Sequence, residues 1–463
     1  MSIYTIDLTT FKQECKISKT DKLEYGEIYT PFALIHQMLD LFDPAVFQDP
    51  NKTWLDIGAG QGYFSMLLFA RLNAGLASII PDETERKAHI VHQMLAMIEL
   101  KESNVASLRA MFGAEANVLG GDFCTYVFHE RYDYIIGNPP YNAHGMKKVP
   151  TNTVKEKTKD GITLWTQFIR KSLPLLRNTQ SQLCLIVPAL WLKPDKSGLH
   201  QLLTHYKLEK IHCLSSNETN TLFKGEAQTP TCYFLLTNTP KEIENPITLY
   251  DTQRQAYVPL LHTPGQPIPL FGAHMIQKLQ PWLLQAGPLK VIKTNMPSKK
   301  SQFTEQAYTE AFPYVNITTC VLEGLLQPVL SLIYSDNPQA FHGVKKLVLA
   351  HKMYGFPYWD KEGHYGIANR DNYVIVEKTA LQFAQLQAFL STKFALYLFA
   401  AARYRMKYLE KYAFEFIPDI TKLPEFPSPQ EISDETVADY FGLDIEDKKH
   451  ILSLHRKNYG RFL

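Results

Sequence analysis

The sequence predicts an α/β protein, with a doubly wound mixed sheet in residues 1–240 followed by a mixed α+β domain. Three observations carry this expectation. Short apolar runs alternate with stretches of helical spacing through the first half of the chain. A glycine-rich turn, Gly58-Ala59-Gly60-Gln61-Gly62, follows the run Trp54-Leu55-Asp56-Ile57. A second stiff turn, Asn138-Pro139-Pro140-Tyr141, follows the run Tyr132 to Gly137 about 80 residues later.

Taken in order, Thr30-Pro31 starts an amphipathic helix from Phe32 to about Phe42, with proline in its first turn. The strand ending in Asp56 leads through the glycines into a helix from Tyr63 to about Leu72. Asp82 to about Gln93 reads as an extra helix, Met94 to Leu100 as a strand, and Asn117 to Phe123 as a strand with an acid near its end. Beyond the proline turn come a helix within Thr163–Arg177, a buried strand Gln182–Pro188, and strands Leu208–Leu214 and Thr231–Leu236. From Asn238 to Gly287, prolines at 240, 246, 259, 264, 267 and 269 suggest a linker into the second domain, residues 241–430. In that domain Lys345–Lys352 reads as a strand with basic ends, Tyr354 to Gly366 as an aromatic, turn-rich patch, and Leu381–Leu398 as one helix. Residues 431–463 read as a small helical tail.

The proline turn carries the chemistry. An asparagine oxygen accepts one proton of an aromatic exocyclic amine, and the carbonyl of the next residue, Pro139, accepts the other. Two prolines fix φ and keep both acceptors aimed at one point. The Tyr141 ring offers a face on which a planar base can stack. The nitrogen of such an amine is delocalised into its ring, and two acceptors favour a more tetrahedral nitrogen whose lone pair attacks in line. Chance would produce this tetrapeptide in roughly one chain per thousand of this length. Its meaning depends on a cofactor site upstream, and the glycine turn supplies the candidate. Three glycines alone are also a weak dinucleotide fingerprint. Here Asp56 precedes the glycines, and no oxidoreductase constellation follows.

Together the motifs resemble the S-adenosylmethionine-dependent DNA adenine-N6 methyltransferases of the γ arrangement. In these an N-terminal cofactor motif, here Gly26-Glu27-Ile28-Tyr29-Thr30-Pro31, precedes the catalytic domain and a target-recognition region. The resemblance implies a Rossmann-like class I methyltransferase domain acting on double-stranded DNA. It implies that Thr30 contacts the methionine portion of the cofactor, that Asp56 holds its amino-acid part, and that Gly58 and Gly60 let backbone pass beneath it. A strand-end acid takes the ribose hydroxyls. Glu99 is the candidate, with Glu102 and Glu83 as alternatives. Asp122 accepts from the adenine amine of the cofactor, and Phe123 packs on that ring. Asn138, Pro139, Pro140 and Tyr141 form the catalytic turn. Phe223 either clamps the flipped base opposite Tyr141 or anchors its own loop.

Basic residues beside aromatics suit phosphate contact and stacking. Lys147 and Lys148 sit in a lysine-rich stretch after the turn, and Lys352, Arg403 and Arg405 in the second domain, so these are the DNA-contact candidates. The same proline turn also resembles that of protein glutamine-N5 and RNA adenine-N6 methyltransferases, which typically lack a C-terminal region as large as residues 241–463. A cognate restriction endonuclease would act as a separate protein, because little chain precedes Gly26 to form a nuclease domain.

The 463 residues carry a net charge of only +2, so nucleic-acid binding is not legible in the total. Six cysteines show neither metal spacing nor a secreted framework, and no metal site is expected. The longest apolar run, Leu183–Leu192, is too short to span a membrane and contains Pro188. A soluble, intracellular, non-secreted enzyme is the expectation.

Overall fold

The computed structural model describes residues 29–142, 163–225, 227, 229–242, 246–305, 307–323, 327–351, 357–405 and 408–453. The chain divides into two compact units. The first comprises 1–250 with 261–265, and the second 251–260 with 266–463.

In the first unit, helix α1 (Phe32–Leu39) is followed by β1 (Trp54–Ile57), α2 (Tyr63–Gly75), α3 (Glu83–His89), β2 (Leu95–Glu99), α4 (Glu102–Phe112), β3 (Asn117–Gly120) and β4 (Tyr134–Gly137). Then come α5 (Trp165–Ser172), β5 (Gln182–Pro188), α6 (Leu199–Thr204), β6 (Tyr206–Leu214), α7 (Ser216–Leu222), β7 (Thr231–Pro240) and β8 (Ile247–Asp251). The strands lie in the order β3-β2-β1-β4-β5-β7-β6-β8. Pairing is parallel from β3 across to β5, while β7 runs antiparallel to both β5 and β6. This is the doubly wound mixed sheet that the sequence predicts. Parallel strands are covered on both faces, and β1, β2 and β4 are accordingly buried along their whole length.

The core explains why these runs must be apolar throughout. Trp54 of β1 stacks on Tyr134 of β4 at 4.2 Å and on Phe47 at 5.5 Å. Leu34, Ile35, Met38 and Leu39 of α1 pack into the same cluster as Met66, Leu68 and Leu72 of α2. The chain passes from β1 outward through β2 to β3, then returns to β4 on the other side of β1. That reversal leaves a crevice at the carboxyl ends of β1 and β4, the place where open α/β sheets bind ligands. Asp56 pairs with Ile136, which brings the residues after both strands side by side. The two backbones meet closely there: a Cβ on Gly137, at φ 151°, would lie 2.7 Å from the Ile57 carbonyl oxygen.

The second unit is α+β. It holds a four-stranded sheet of Ile292–Lys293, Asn372–Ile375, Lys346–Ala350 and Tyr358–Asp360, and a second of Phe303–Thr304, Gln327–Ser335, Tyr314–Glu323 and Gly366–Ile367, each in that order. Ile317, Val348, Ile367 and Val374 form a small shared core.

Several expectations are corrected. The chain passes from the first unit to the second within the proline-rich stretch 238–287, but the stretch is not irregular. It contains Ile247–Asp251, Ala256–Leu260, and helices Ala273–Lys278 and Gln280–Ala286, because proline is tolerated at strand edges and in first helical turns. The expected helix Leu381–Leu398 is two, Ala380–Phe389 and Lys393–Ala401, since the Thr392 side chain accepts from Ala395 N and starts a new helix. Lys346 is not a basic strand end facing outward. It is fully buried, and its Nζ donates to Asp360 at 2.6 Å and to the Phe341 and Val344 carbonyls.

Within the second unit, His274 is held between two fully buried carboxylates. Nδ1 lies 2.7 Å from Asp251 and Nε2 lies 2.5 Å from Asp447. Both ring nitrogens can donate only in the imidazolium form. Lys278 and Arg254 also face Asp447 and Asp444, and the Tyr397 phenol feels Asp251 and Asp447. Burial opposes the imidazolium charge, but the bonds to Asp251 and Asp447 outweigh it and hold the His274 pKa above its ordinary 6.5. The linked stability is therefore fully present below 6.5 and lost as pH rises through the folded value. His274→Ala takes the cation from Asp251, while Asp447 keeps Lys278 and Arg254, and is expected to lose about 3 kcal/mol in denaturant titration, with less of the wild-type decline at alkaline pH.

Candidate active site

The carboxyl ends of β1, β2 and β4 open onto a cavity of about 340 Å³, large enough for a cofactor-sized ligand. Its lining gathers Thr30, Gly58, Gly60, Glu99, Asp122, Phe123, Asn138, Pro139, Pro140, Tyr141 and Phe223, all of them residues the sequence singles out.

The glycine turn is fixed to the end of β2. Ala59 N donates to the Ile98 carbonyl at 2.9 Å, and Gly60 N to Glu99 Oε2 at 2.8 Å. Gly58 and Gly60 adopt φ 69° and 57°, the left-handed region where glycine is favoured. A Cβ on Gly58 would meet nothing within 4 Å, so the space above the turn is open. Glu99 holds a second backbone amide, Lys101 N, at 2.8 Å. Of the three acids considered for this role, Glu99 lines the cavity, whereas Glu83 and Glu102 are exposed at the starts of α3 and α4 and do not. Asp122 accepts from Cys124 N at 2.9 Å in its own turn. Phe123 stacks on Phe168 of α5 at 4.9 Å, so one of its faces is already covered.

Asp56 is not brought into the cavity wall. It is buried behind the turn, where its Oδ2 accepts from Ser65 Oγ at 2.7 Å. Its Oδ1 has no partner among the described residues. Burial, opposed by the Ser65 bond and reinforced by nearby Glu99, pushes the Asp56 carboxyl from 3.8 up to about 7. The folded state therefore keeps a proton that the unfolded chain releases. Stability from Asp56 is fully present below pH 3.8 and is lost as pH rises through about 7. Melting curves of the ligand-free protein are expected to show Asp56→Asn gaining on the wild type between those pH values. A constant difference would contradict the assignment.

The proline turn is anchored on both sides. The Tyr141 carbonyl accepts from Leu164 N at 3.1 Å, and Asn142 bridges to Thr163. Asn138 Nδ2 donates to Thr30 Oγ1 at 3.0 Å. The other end of that amide, Oδ1, is buried with no partner among the described residues. The Tyr141 hydroxyl is likewise buried and unpartnered among them, and burial raises its pKa far above the ordinary range, so the ring is neutral at any working pH. Phe223 is buried in the hydrophobic core and also lines the cavity.

Lys147, Lys148 and Lys352 lie outside the described residues. Arg405 is exposed in the second unit, 3.7 Å from Glu410, and Arg403 is half-buried there. Tyr404, between these two arginines, is fully buried and donates to the Ile268 carbonyl at 2.7 Å. Sequence reasoning missed Leu100, Asn104 and Leu164, which also line the cavity. Leu100 is 54% exposed, an apolar side chain directly after the strand-end acid, and that position was the available signal.

Residues 64–219 match the family described as Eco57I restriction-modification methylase. An uncharacterized adenine-specific methylase of Mycoplasma pneumoniae is 40% identical over 134 residues, 27% of this chain. The chain spans about a third of the length of that curated relative, 32%. Among solved structures, the type I restriction enzyme EcoKI M protein is similar at 15% identity and a TM-score of 0.36, covering 50% of this chain and 48% of that one. The type I methyltransferase subunit of Streptococcus thermophilus is similar at 15% identity and a TM-score of 0.35, covering 54% and 51%. These two likenesses decide nothing about activity. No helix among the described residues is long and apolar enough to cross a membrane.

Proposed function

We propose that this protein transfers a methyl group from S-adenosylmethionine to the N6 amine of an adenine rotated out of a specific double-stranded DNA sequence. One observation carries the reading: a buried amide oxygen on Asn138, without a partner among the described residues, shares one cavity with a glycine turn and a strand-end acid. A buried acceptor without a partner costs about 1–3 kcal/mol, which makes sense if a ligand donor completes it. The matching methylase family and the adenine-specific name of the relative support the substrate class.

The residues present fit the cofactor. Open space above Gly58, the Glu99 carboxylate, Asp122, the exposed Leu100 and the Phe123 ring provide a backbone bed, a ribose acceptor, an amine acceptor and apolar walls. When bound, S-adenosylmethionine supplies an electrophilic methyl on a sulfonium. Asn138 Oδ1 and the Pro139 carbonyl hold the two amine protons and stabilise positive charge as it develops on N6. Pro139 and Pro140 keep these acceptors in place without reorganisation, which lowers the entropic part of the barrier. The alkylated nitrogen is acidic enough to lose its proton to water, so no general base is assigned. Rotating the base out of the duplex costs a few kcal/mol. Stacking on Tyr141, closure by Phe223 and phosphate contacts offset that cost, with Lys147, Lys148, Lys352, Arg403 and Arg405 as the assigned cations. The second unit reads the target sequence in this scheme, and any cognate endonuclease acts separately.

The test is to incubate the protein with S-adenosylmethionine and either mixed-sequence duplex DNA or RNA, then weigh the digested nucleosides. N6-methyladenine in DNA alone is the expected result. Methyl groups in RNA, or on glutamine in added protein, would replace DNA by those substrates.

A further inference from the structure

We propose that Lys293, Arg370 and Arg405 form one cationic surface on the second unit that grips the phosphate backbone of duplex DNA. The inference deepens the proposed reaction and rests on it for the identity of the polyanion. The sequence singles out Arg405 alone, and the fold brings the other two to it. Lys293 ends the short edge strand Ile292–Lys293 and pairs with Tyr373, and its Nζ lies 5.5 Å from the centre of that ring. Arg370 stands in the turn that leads into the strand Asn372–Ile375. The Tyr373 hydroxyl donates to the Leu409 carbonyl at 2.8 Å, which draws in the segment that follows Arg405. His351 N donates to the Asp371 carbonyl at 2.7 Å, and Leu409 N donates to the His351 carbonyl. The His351 ring stacks on Tyr408 at 4.8 Å.

Charge decides what this surface is for. Buried cations that serve the fold of this unit each meet a carboxylate: Lys346 Nζ lies 2.6 Å from Asp360, and Lys378 Nζ lies 2.8 Å from Asp419. Lys293, Arg370 and Arg405 are exposed instead. Arg405 stands 3.7 Å from Glu410, beyond hydrogen-bond distance, and neither Lys293 nor Arg370 forms an ion pair among the described residues. Burial holds Lys293 below its ordinary 10.5, Arg405 and Arg370 push the same way, and Glu410 and Asp371 oppose them only in part. Burial and Lys293 also push His351 down to about 4, so that ring is neutral and adds an aromatic face rather than charge. Like charges gathered by backbone pairing cost stability, and a run of phosphates offsets that cost while releasing its counterions. Such contacts position the duplex without reading its bases.

The experiment is fluorescence anisotropy of a labelled mixed-sequence duplex with the full chain and no cofactor, over a series of salt concentrations. Each phosphate contact contributes about 0.9 to the slope of log affinity against log salt. Lys293→Gln and Arg370→Gln are each expected to lower the slope by about 0.9, and the pair by about 1.8. Binding should weaken alike on every duplex sequence. Lys293→Arg should keep the wild-type slope. Lys449→Gln, which removes an exposed cation from the helix Ile445–Ser453, should leave it unchanged as well. Arg370 is exposed in a turn, so its variant keeps the test decisive if loss of the Lys293–Tyr373 contact disturbs folding. Slopes unchanged in both variants, or lowered equally by Lys449→Gln, would overturn the surface. If the wild type nonetheless methylates DNA, that result rejects the surface and keeps the proposed reaction. Lowered slopes in a protein that methylates no DNA would keep the surface and reject the reaction. Binding to RNA but not to duplex DNA would overturn the partner assigned here.

Discussion

Asn138→Ala is expected to lower the rate of methyl transfer by about 10²–10³-fold while S-adenosylmethionine binds as before. The size follows from removing one preorganised partner for charge that develops in the transition state. Cofactor binding should survive because Gly58, Gly60, Glu99, Asp122 and Phe123 stand on the ends of β1, β2 and β3 and do not depend on the β4 turn, and Thr30, which does bond Asn138, stays buried beside the start of α1. Stability adds a second signature. The substitution gives up the bond from Nδ2 to Thr30 but also removes a buried oxygen that has no partner among the described residues, and these effects oppose one another. The melting temperature should move little while the rate collapses, as expected of a group placed for a ligand rather than for the fold. Single-turnover rates, isothermal titration with the cofactor, and thermal melts on one preparation separate the three quantities. A joint loss of turnover and cofactor affinity would falsify the division of roles between the two turns.

What could be read in the sequence was local. The β1 and β4 strands and the turns that leave them are contiguous runs whose burial and bend follow from their own residues, and both turns stand where the sequence places them, directly after those strands. Pairing across the sheet then places them together without further information, since β1 and β4 are neighbours at the reversal of strand order. Single side chains whose environment depends on a distant partner were not legible. Asp56 reads as an acid facing a ligand, yet it is buried and bonded by Ser65 in the first turn of α2. Lys346 reads as a strand-end cation until Asp360 is placed opposite it. Tyr404 sits in a cationic, aromatic run, and only the fold reveals the Ile268 carbonyl that holds its hydroxyl inside. The prolines of 238–287 misled for the converse reason: their density signals irregular chain, but Pro240 and Pro259 lie within strands and Pro281 in the first turn of a helix.

Glu99→Ala is expected to weaken S-adenosylmethionine by about 100-fold, the second-largest effect and the one that decides which acid holds the ribose. A carboxylate offers roughly four acceptor positions, so bonding the amides of Gly60 and Lys101 at 2.8 Å each does not preclude accepting ribose hydroxyls. Hydrogen bonds to a charged group contribute about 1.5–3 kcal/mol, and two lost at the ligand correspond to about 100-fold or more in affinity. Loss of the bond to Gly60 also frees the glycine turn, so part of the penalty is the ordering of that turn on binding. Glu99→Gln separates the contributions: the amide keeps one acceptor oxygen, but its NH₂ end cannot accept from either backbone amide, and an intermediate loss of about 10-fold follows. At saturating cofactor both variants should regain much of the wild-type kcat, because Glu99 stands at the end of β2 and not in the turn that holds the amine. Unchanged affinity in Glu99→Ala would return the role to Glu102 or Glu83, which the fold leaves outside the cavity and which would then have to be reached by a rearrangement of α4 or α3.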